Sequence, residues 1–209
     1  MALQKHDELN RIAIPYEKYF GEMGLSEEEI ERRISLAEDI DDIFILLFAL
    51  ISADIRVGNK IDTKYYIDFI VRKYEDVLYD FGLNISDKYP AIESHIIELA
   101  ENILEQNVDD PDDDWNTSDD RAMAIAENDV NSICEYTRFQ DAIDIGKTRK
   151  TWNTLLDNRV RKSHEELESV TIPIMDMFDV GDCKMYYPRD IVNGTAKETT
   201  KCRCWCTYA

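Results

Sequence analysis

The side chains best suited to chemistry crowd into the last third of the chain. Asp157, Arg159, Arg161 and His164 stand there in a D-x-R-x-R-x-x-H pattern, and Cys183, Cys202, Cys204 and Cys206 are four of the five cysteines. Thiolates bind zinc, and neutral imidazole is their common co-ligand. His164, Cys183, Cys202 and Cys204 therefore form a candidate four-ligand metal set. The C-x-C spacing argues both ways. It gives a tighter bite than the usual C-x2–4-C, and no second C-x-x-C pair accompanies it. In an extended strand it places Cys202, Cys204 and Cys206 on one face, with Arg203 and Trp205 on the other. That geometry favours thiols packed together inside a hairpin, with a metal as the alternative. A reactive thiol is a weaker expectation: Arg203 lies close enough in sequence to lower a thiol pKa, but no base is placed by spacing.

The D-x-R-x-R-x-x-H run has two readings. If it is helical, Asp157 and Arg161 are i,i+4 partners and His164 lies one turn beyond Arg161. Acid–base or metal-assisted hydrolysis is one use for such a set. A buried polar network is the more generic one, with Asp and Arg paired and the histidine donating to a backbone carbonyl. A single histidine without a second nearby favours the network. Trp152, Phe178, Trp205 and Tyr208 read as core aromatics of the same region. Pro188 with Asp190 marks a turn. The expected structural network is thus Trp152, Asp157, Arg159, Arg161, His164, Phe178, Pro188, Asp190 and Arg203. No P-loop, G-x-S-x-G or H-E-x-x-H occurs, so no complete catalytic set is offered.

The elements that must position these residues change character along the chain. Residues 1–147 carry helical periodicity. Ser26 with Glu29 is a capping-box signature, followed by the stripe Ile30, Ile34, Ala37, Ile40, Phe44, Leu47 and Ile51. Asp62 or Thr63 opens a second helix, with Tyr66, Phe69, Ile70, Lys73, Tyr74, Val77, Leu78 and Phe81 in a three-four rhythm and Gly82 as its stop. A third spans Ala91 to Gln106, and a fourth runs from Ser118 or Asp119 to Gly146. Between these last two lies DDPDDDWNTSDD, residues 109–120, which reads as a solvated acidic linker. Its acids lack the EF-hand order and make a poor calcium loop. After Gly146 short strands are expected: an edge strand within 147–155, a Pro-containing edge or end strand at 170–175, and another at 184–187. The fold class is α+β, a mostly helical N-terminal region followed by a small C-terminal α+β domain.

Charge follows the same division. Residues 148–209 hold 10 Lys and Arg against 9 Asp and Glu, a net of +1, whereas residues 1–147 hold 14 against 35, a net of −21. An acidic surface repels free nucleic acid, since affinity for phosphates comes from cations. Direct DNA contact through the front region is therefore disfavoured, and a basic protein partner or plain solubility fits. The apolar run Ile43–Ile51 is too short to cross a bilayer, and no secretory leader is visible. Five clustered cysteines, odd in number, suit reduced thiols in a cytosol rather than a secreted disulfide framework.

The ordered set Trp152, Asp157, Arg159, Arg161, His164, Phe178, Gly181, Pro188, Asp190, Cys202, Arg203, Cys204 and Tyr208 resembles the C-terminal domain of phage Mu F-like minor head proteins. The preceding helix, with its A-I-A-E-N-D-V-N stretch, resembles that family's lead-in helix. The resemblance covers roughly residues 118–208, giving domains of 1–117 and 118–209. Two departures, Glu165–Ser169 where a glycine is usual and Lys201 where an asparagine is usual, bear on turn geometry. The resemblance implies a virion protein of the head near the portal, acting in head assembly or in DNA packaging and ejection, and no enzyme. Its implied partners are the portal protein and a major capsid or scaffolding protein, with no membrane and a stay in host cytoplasm during assembly. No cofactor is implied, zinc at the cysteines aside. The competing classes are a metal-dependent hydrolase or toxin-like effector built on the His/Asp/Cys cluster, and an acidic DNA mimic.

Overall fold

The computed structural model describes residues 15–83, 89–110 and 113–209. Parts of the front region, and residues 111 and 112 of the acidic run, lie outside these. In chain order the elements are α1 (Tyr16–Gly21), α2 (Glu27–Val57), α3 (Thr63–Asp80), α4 (Pro90–Asp109), a 3-10 turn (Asp114–Thr117), α5 (Asp119–Asp144), β1 (Arg149–Asn153), α6 (Lys162–Glu165), β2 (Thr171–Pro173), β3 (Phe178–Val180), β4 (Cys183–Met185), α7 (Ala196–Thr199) and β5 (Trp205–Tyr208). The chain is α+β, helical in front and stranded behind. Its described residues form two compact units. One is Tyr16 with residues 34–127, and the other is residues 17–33 with 128–209. The tail unit thus recruits α1 and the first turns of α2.

The helical unit follows its end signals. Asp62 caps α3 by accepting from the Tyr65 N–H, as a short acidic side chain at an N-cap does. At the other end Gly82 takes φ +75°, and the Leu83 N–H returns to the Leu78 carbonyl at 2.8 Å, a left-handed stop. Tyr66, Ile70, Tyr74 and Leu78 are the buried stripe of α3, packing with Ile92, Ile96, Ala100 and Ile103 of α4. The acidic run is folded over its described part. Asn116 is buried and donates to the carbonyls of Gln106 and Asp110, so the 3-10 turn is tied to the end of α4.

The tail unit is built on a three-stranded antiparallel sheet of order β2-β1-β5 and a β3–β4 hairpin. β1 is therefore the central strand and not the edge strand its Thr-rich composition suggests. The reason lies in the C-terminus, which returns to pair Trp152 with Cys206 and Thr151 with Thr207. β2 pairs on the other side of β1 and, with Pro173 in it, forms an edge, where a missing N–H costs least. β3 is an additional strand that the sequence pattern does not announce. At three residues it is too short for periodicity.

Two buried cations shape this unit. Arg33 of α2 is fully buried. It donates to Glu29, Asn131 and Glu135. Glu135 of α5 also accepts from Arg138 at 2.7 Å and from the Cys206 backbone N–H at 3.2 Å. Lys150 of β1 is buried beside Trp152 on the inner face of the strand. Its ammonium lies 4.9 Å from the Phe139 ring centre, 5.0 Å from Tyr186 and 5.4 Å from Phe178. Ring faces attract a cation, while burial, against the nearby acidic groups, pulls the Lys150 pKa down to about 8.

Two predictions follow from these cations. Glu135→Ala takes from Arg33 its fully buried carboxylate partner, leaving Glu29 and Asn131, and breaking a buried pair costs about 3–5 kcal/mol. Denaturant unfolding measures it, and a loss no larger than about 0.5 kcal/mol, the scale of a surface change, would mean the pair is relaxed by water. For Lys150 the folded pKa lies below the ordinary 10.5. Between about 8 and 10.5 the unfolded chain binds more protons, so this group's contribution to stability grows as pH rises through that window. Lys150→Met should raise the melting temperature at pH 7, and the advantage should shrink as pH climbs from about 8 towards 10.5. An advantage independent of pH would point to packing alone.

Candidate functional site

The D-x-R-x-R-x-x-H segment is not one helix. Leu156 takes φ +54°, and the Asp157 carboxylate accepts from the Arg159 N–H, an Asx-type turn that competes with helix formation. Asp157 therefore does not pair with Arg161. It forms a two-point ion pair with Arg203, at 3.0 and 2.7 Å. Arg203 in turn reaches Glu22 at 2.9 Å, and Arg159 bonds both Glu22 and Asp157. Burial opposes ionisation of Asp157, yet hydrogen bonds from Arg203 and Arg159 hold its carboxyl below the usual range. Arg161 precedes α6, and its guanidinium donates to the Thr200 carbonyl. Asp157 and Arg159 thus join one ion-pair cluster, and Arg161 serves a separate contact.

His164 sits in α6, 1% exposed. Its Nε2 lies 3.1 Å from Glu198 Oε2. It does not donate to a backbone carbonyl, as the sequence reading expected, because α7 carries Glu198 to it. The same carboxylate oxygen accepts from Ser163 Oγ at 2.9 Å, and Lys197 lies 3.4 Å from Oε1. A carboxylate accepts, so the imidazole donates through Nε2 and turns Nδ1 to the opposite side. Gly181 explains how the carboxylate fits. Its φ is +58°, and a Cβ there would meet Glu198 Oε1 at 2.3 Å. Trp152 stands edge-on to the imidazole at 5.4 Å and packs on Phe178 at 5.2 Å.

Nδ1 faces both thiols of the C-x-C. Cys202 Sγ and Cys204 Sγ each lie 3.4 Å from it, and the three ligand atoms lie within 4.8 Å of one another. All five cysteines are reduced. Burial opposes ionisation of Cys202, but hydrogen bonds from Cys204 and His164, with the charge of Arg189, hold its thiol well below the usual range. Cys204 donates to Cys202 and, also buried, is pushed well above it. Cys183 is not part of this group. It sits in the β3–β4 hairpin, where its thiol contacts the Val180 carbonyl and Thr195. Cys206 is buried elsewhere, beside Glu135, Lys150 and Arg138, and burial pushes its thiol up. Cys202 and Cys204 precede β5 and meet at one imidazole, whereas Cys206 lies in the strand.

The remaining sequence-predicted residues frame the site. Asp190 accepts from the N–H groups of Tyr186, Val192 and Asn193 and from the Asn193 amide, which folds the loop after Pro188. Arg189, buried with φ +61°, donates to the Asn128 carbonyl and to the Tyr19 hydroxyl. Asn128 of the A-I-A-E-N-D-V-N stretch also accepts from the Lys201 N–H through its side chain. Glu198, Glu22 and Arg189 are the residues that spacing arguments miss. Glu198 is 34 positions from His164 and Glu22 is 137 from Arg159, and each looks like an ordinary solvated charge.

The family model described as Phage Mu protein F like protein matches residues 84–207, more than half of the chain, and the chain belongs to that family. It is a phage structural family of the head, which suits a virion component and a chain that is not an enzyme. Neither the curated proteins nor the solved structures contain a match. Among the described residues, no helix is long and apolar enough to cross a membrane.

Removing the imidazole tests what holds the site. His164→Ala leaves Glu198 buried without its main partner, which costs about 1–3 kcal/mol per unpaired group. At about 2–4 °C per kcal/mol for a chain of this size, the drop is readily seen in a thermal melt. A variant of unchanged stability that had lost a measurable hydrolytic activity would replace the structural role with a catalytic one.

Proposed function

We propose that the chain is a minor head protein that joins the phage head at the portal and acts in head assembly or in DNA packaging and ejection. The observation that carries this reading is the family match over residues 84–207. The helical unit is the portal-contacting part. Amphipathic helices dock into protein grooves, and this unit exposes Val57, Tyr65, Tyr79 and Val108 as apolar contacts on an acidic surface. A major capsid or scaffolding protein is the further partner class. The net charge of −21 over residues 1–147 directs these contacts towards protein, because like charge disfavours DNA.

In this role the chain has its place in the head interior near the portal, after folding in the host cytoplasm. Co-expression with the portal protein of the same phage should yield a complex, and the chain should be found in purified procapsids and virions. Its absence from both particles would overturn the reading.

A further inference from the structure

We propose that His164, Cys202 and Cys204 bind one zinc ion, through Nδ1 and two thiolates, with a water from the adjoining pocket in the fourth position. The site is independent of the portal-contacting role and would stand if that role failed.

Placement comes first. With Nε2 turned to the Glu198 carboxylate, Nδ1 is the ring nitrogen that faces Cys202 and Cys204, each thiol 3.4 Å away. One cation at the focus of the three atoms can take all of them as ligands. The second argument is size. A tetrahedral zinc with Zn–S near 2.3 Å and Zn–N near 2.0–2.1 Å sets sulfur and nitrogen about 3.5 Å apart, close to what both pairs show. The third is the outer shell. Metal-ligating histidines donate their other N–H to a carboxylate, which fixes the tautomer and raises ligand basicity. Glu198 does this here, itself held by Ser163 and Lys197 and given room by Gly181.

Access fits as well. The cluster lines one side of a pocket whose other walls are Leu155, Val160 and the cationic side chains of Arg159, Arg161, Lys201 and Arg203. Arg159 and Arg203 are held by Glu22 and Asp157, and the pocket gives the ion an entry path to the fourth position. Two thiolates balance the dication, so the loaded centre is neutral, which a buried position favours. Two sulfurs and one imidazole select zinc over the oxygen-preferring magnesium and calcium. Cys183, engaged in its own hairpin, is not a ligand.

The test uses the full chain, purified reduced and incubated with zinc. Native mass spectrometry should show one zinc per chain, lost on mild acidification. Cobalt in place of zinc should give the visible and sulfur-to-metal charge-transfer bands of a tetrahedral thiolate site. Cys183→Ser should keep the full equivalent, whereas Cys202→Ser and Cys204→Ser should each weaken binding at least tenfold. Should the last two fail to fold, the wild-type cobalt spectrum decides, because charge-transfer intensity counts the bound thiolates. A metal-free wild-type chain, a Cys202–Cys204 disulfide in the freshly reduced protein, or one equivalent retained without both thiols would each overturn the site.

Discussion

The tail unit turns on one carboxylate. Glu135 lies at the centre of α5 with no exposed surface, and both of its oxygens are used. One holds Arg33 and Arg138, and the other holds the backbone N–H of Cys206. A buried ion pair adds little net stability over an apolar pair of the same size, but it is costly to break. Its effect is therefore on position. Arg33 brings the first turns of α2 onto α5, and the bond to Cys206 fixes β5 along the same helix. β5 pairs Cys206 with Trp152 across the sheet. The Cys202–Cys204 segment immediately before β5 is thereby set against His164, whose ring Trp152 supports. The site at the imidazole inherits its geometry from a carboxylate that does not touch it.

How much of this the sequence showed depends on how far each cause reaches along the chain. Helix ends were legible because their chemistry is local. Ser26, Asp62 and Gly82 each act within four residues. The division into a helical front and a stranded tail was legible for the same reason, as was the convergence of Cys202 and Cys204. Buried charges were not. Arg33 sits in α2 among residues that a periodicity argument assigns to solvent, and its partners Asn131 and Glu135 are 98 and 102 positions away. Lys150 alternates with Trp152 on the inner face of β1, where a charged side chain is rarely placed, and its neighbours are aromatic rings from α5 and the hairpin region. The helical reading of residues 157–164 failed for a local reason that residue types alone leave open, since Asp157 serves a turn as readily as a helix.

Eleven of the thirteen residues that carried the family resemblance, all but Arg161 and Tyr208, sort into three spatial groups. Trp152, His164, Phe178, Gly181, Cys202 and Cys204 surround one imidazole, directly or through Glu198. Asp157, Arg159 and Arg203 form an outer ion-pair cluster with Glu22. Pro188 and Asp190 fold the loop that sends buried Arg189 to α1 and α5. A linear pattern of single residues, separated by variable stretches, is what such a fold requires. Its strands are three to five residues long and its tail helices four.

Elements that short cannot hold themselves. A four-residue helix makes few of its own hydrogen bonds and has little cooperativity to offset the cost of nucleation, and a three-residue strand has a ladder to match. α6 and α7 must therefore be held by side chains. The His164–Glu198 contact, the Ser163–Glu198 bond and the Arg161 bond to the Thr200 carbonyl all join the same two segments. The two thiols reach the other nitrogen of the same ring from the residues just after α7. Each tie closes a loop of more than thirty residues, and closing such a loop gains when several bonds share one entropic cost. A cation at Nδ1 would act along that same line, joining α6 to the approach of β5 on the side of the ring opposite Glu198. The imidazole is thus the one group that both ends of the tail must meet, and that is why its neighbours come from so many separate places in the sequence.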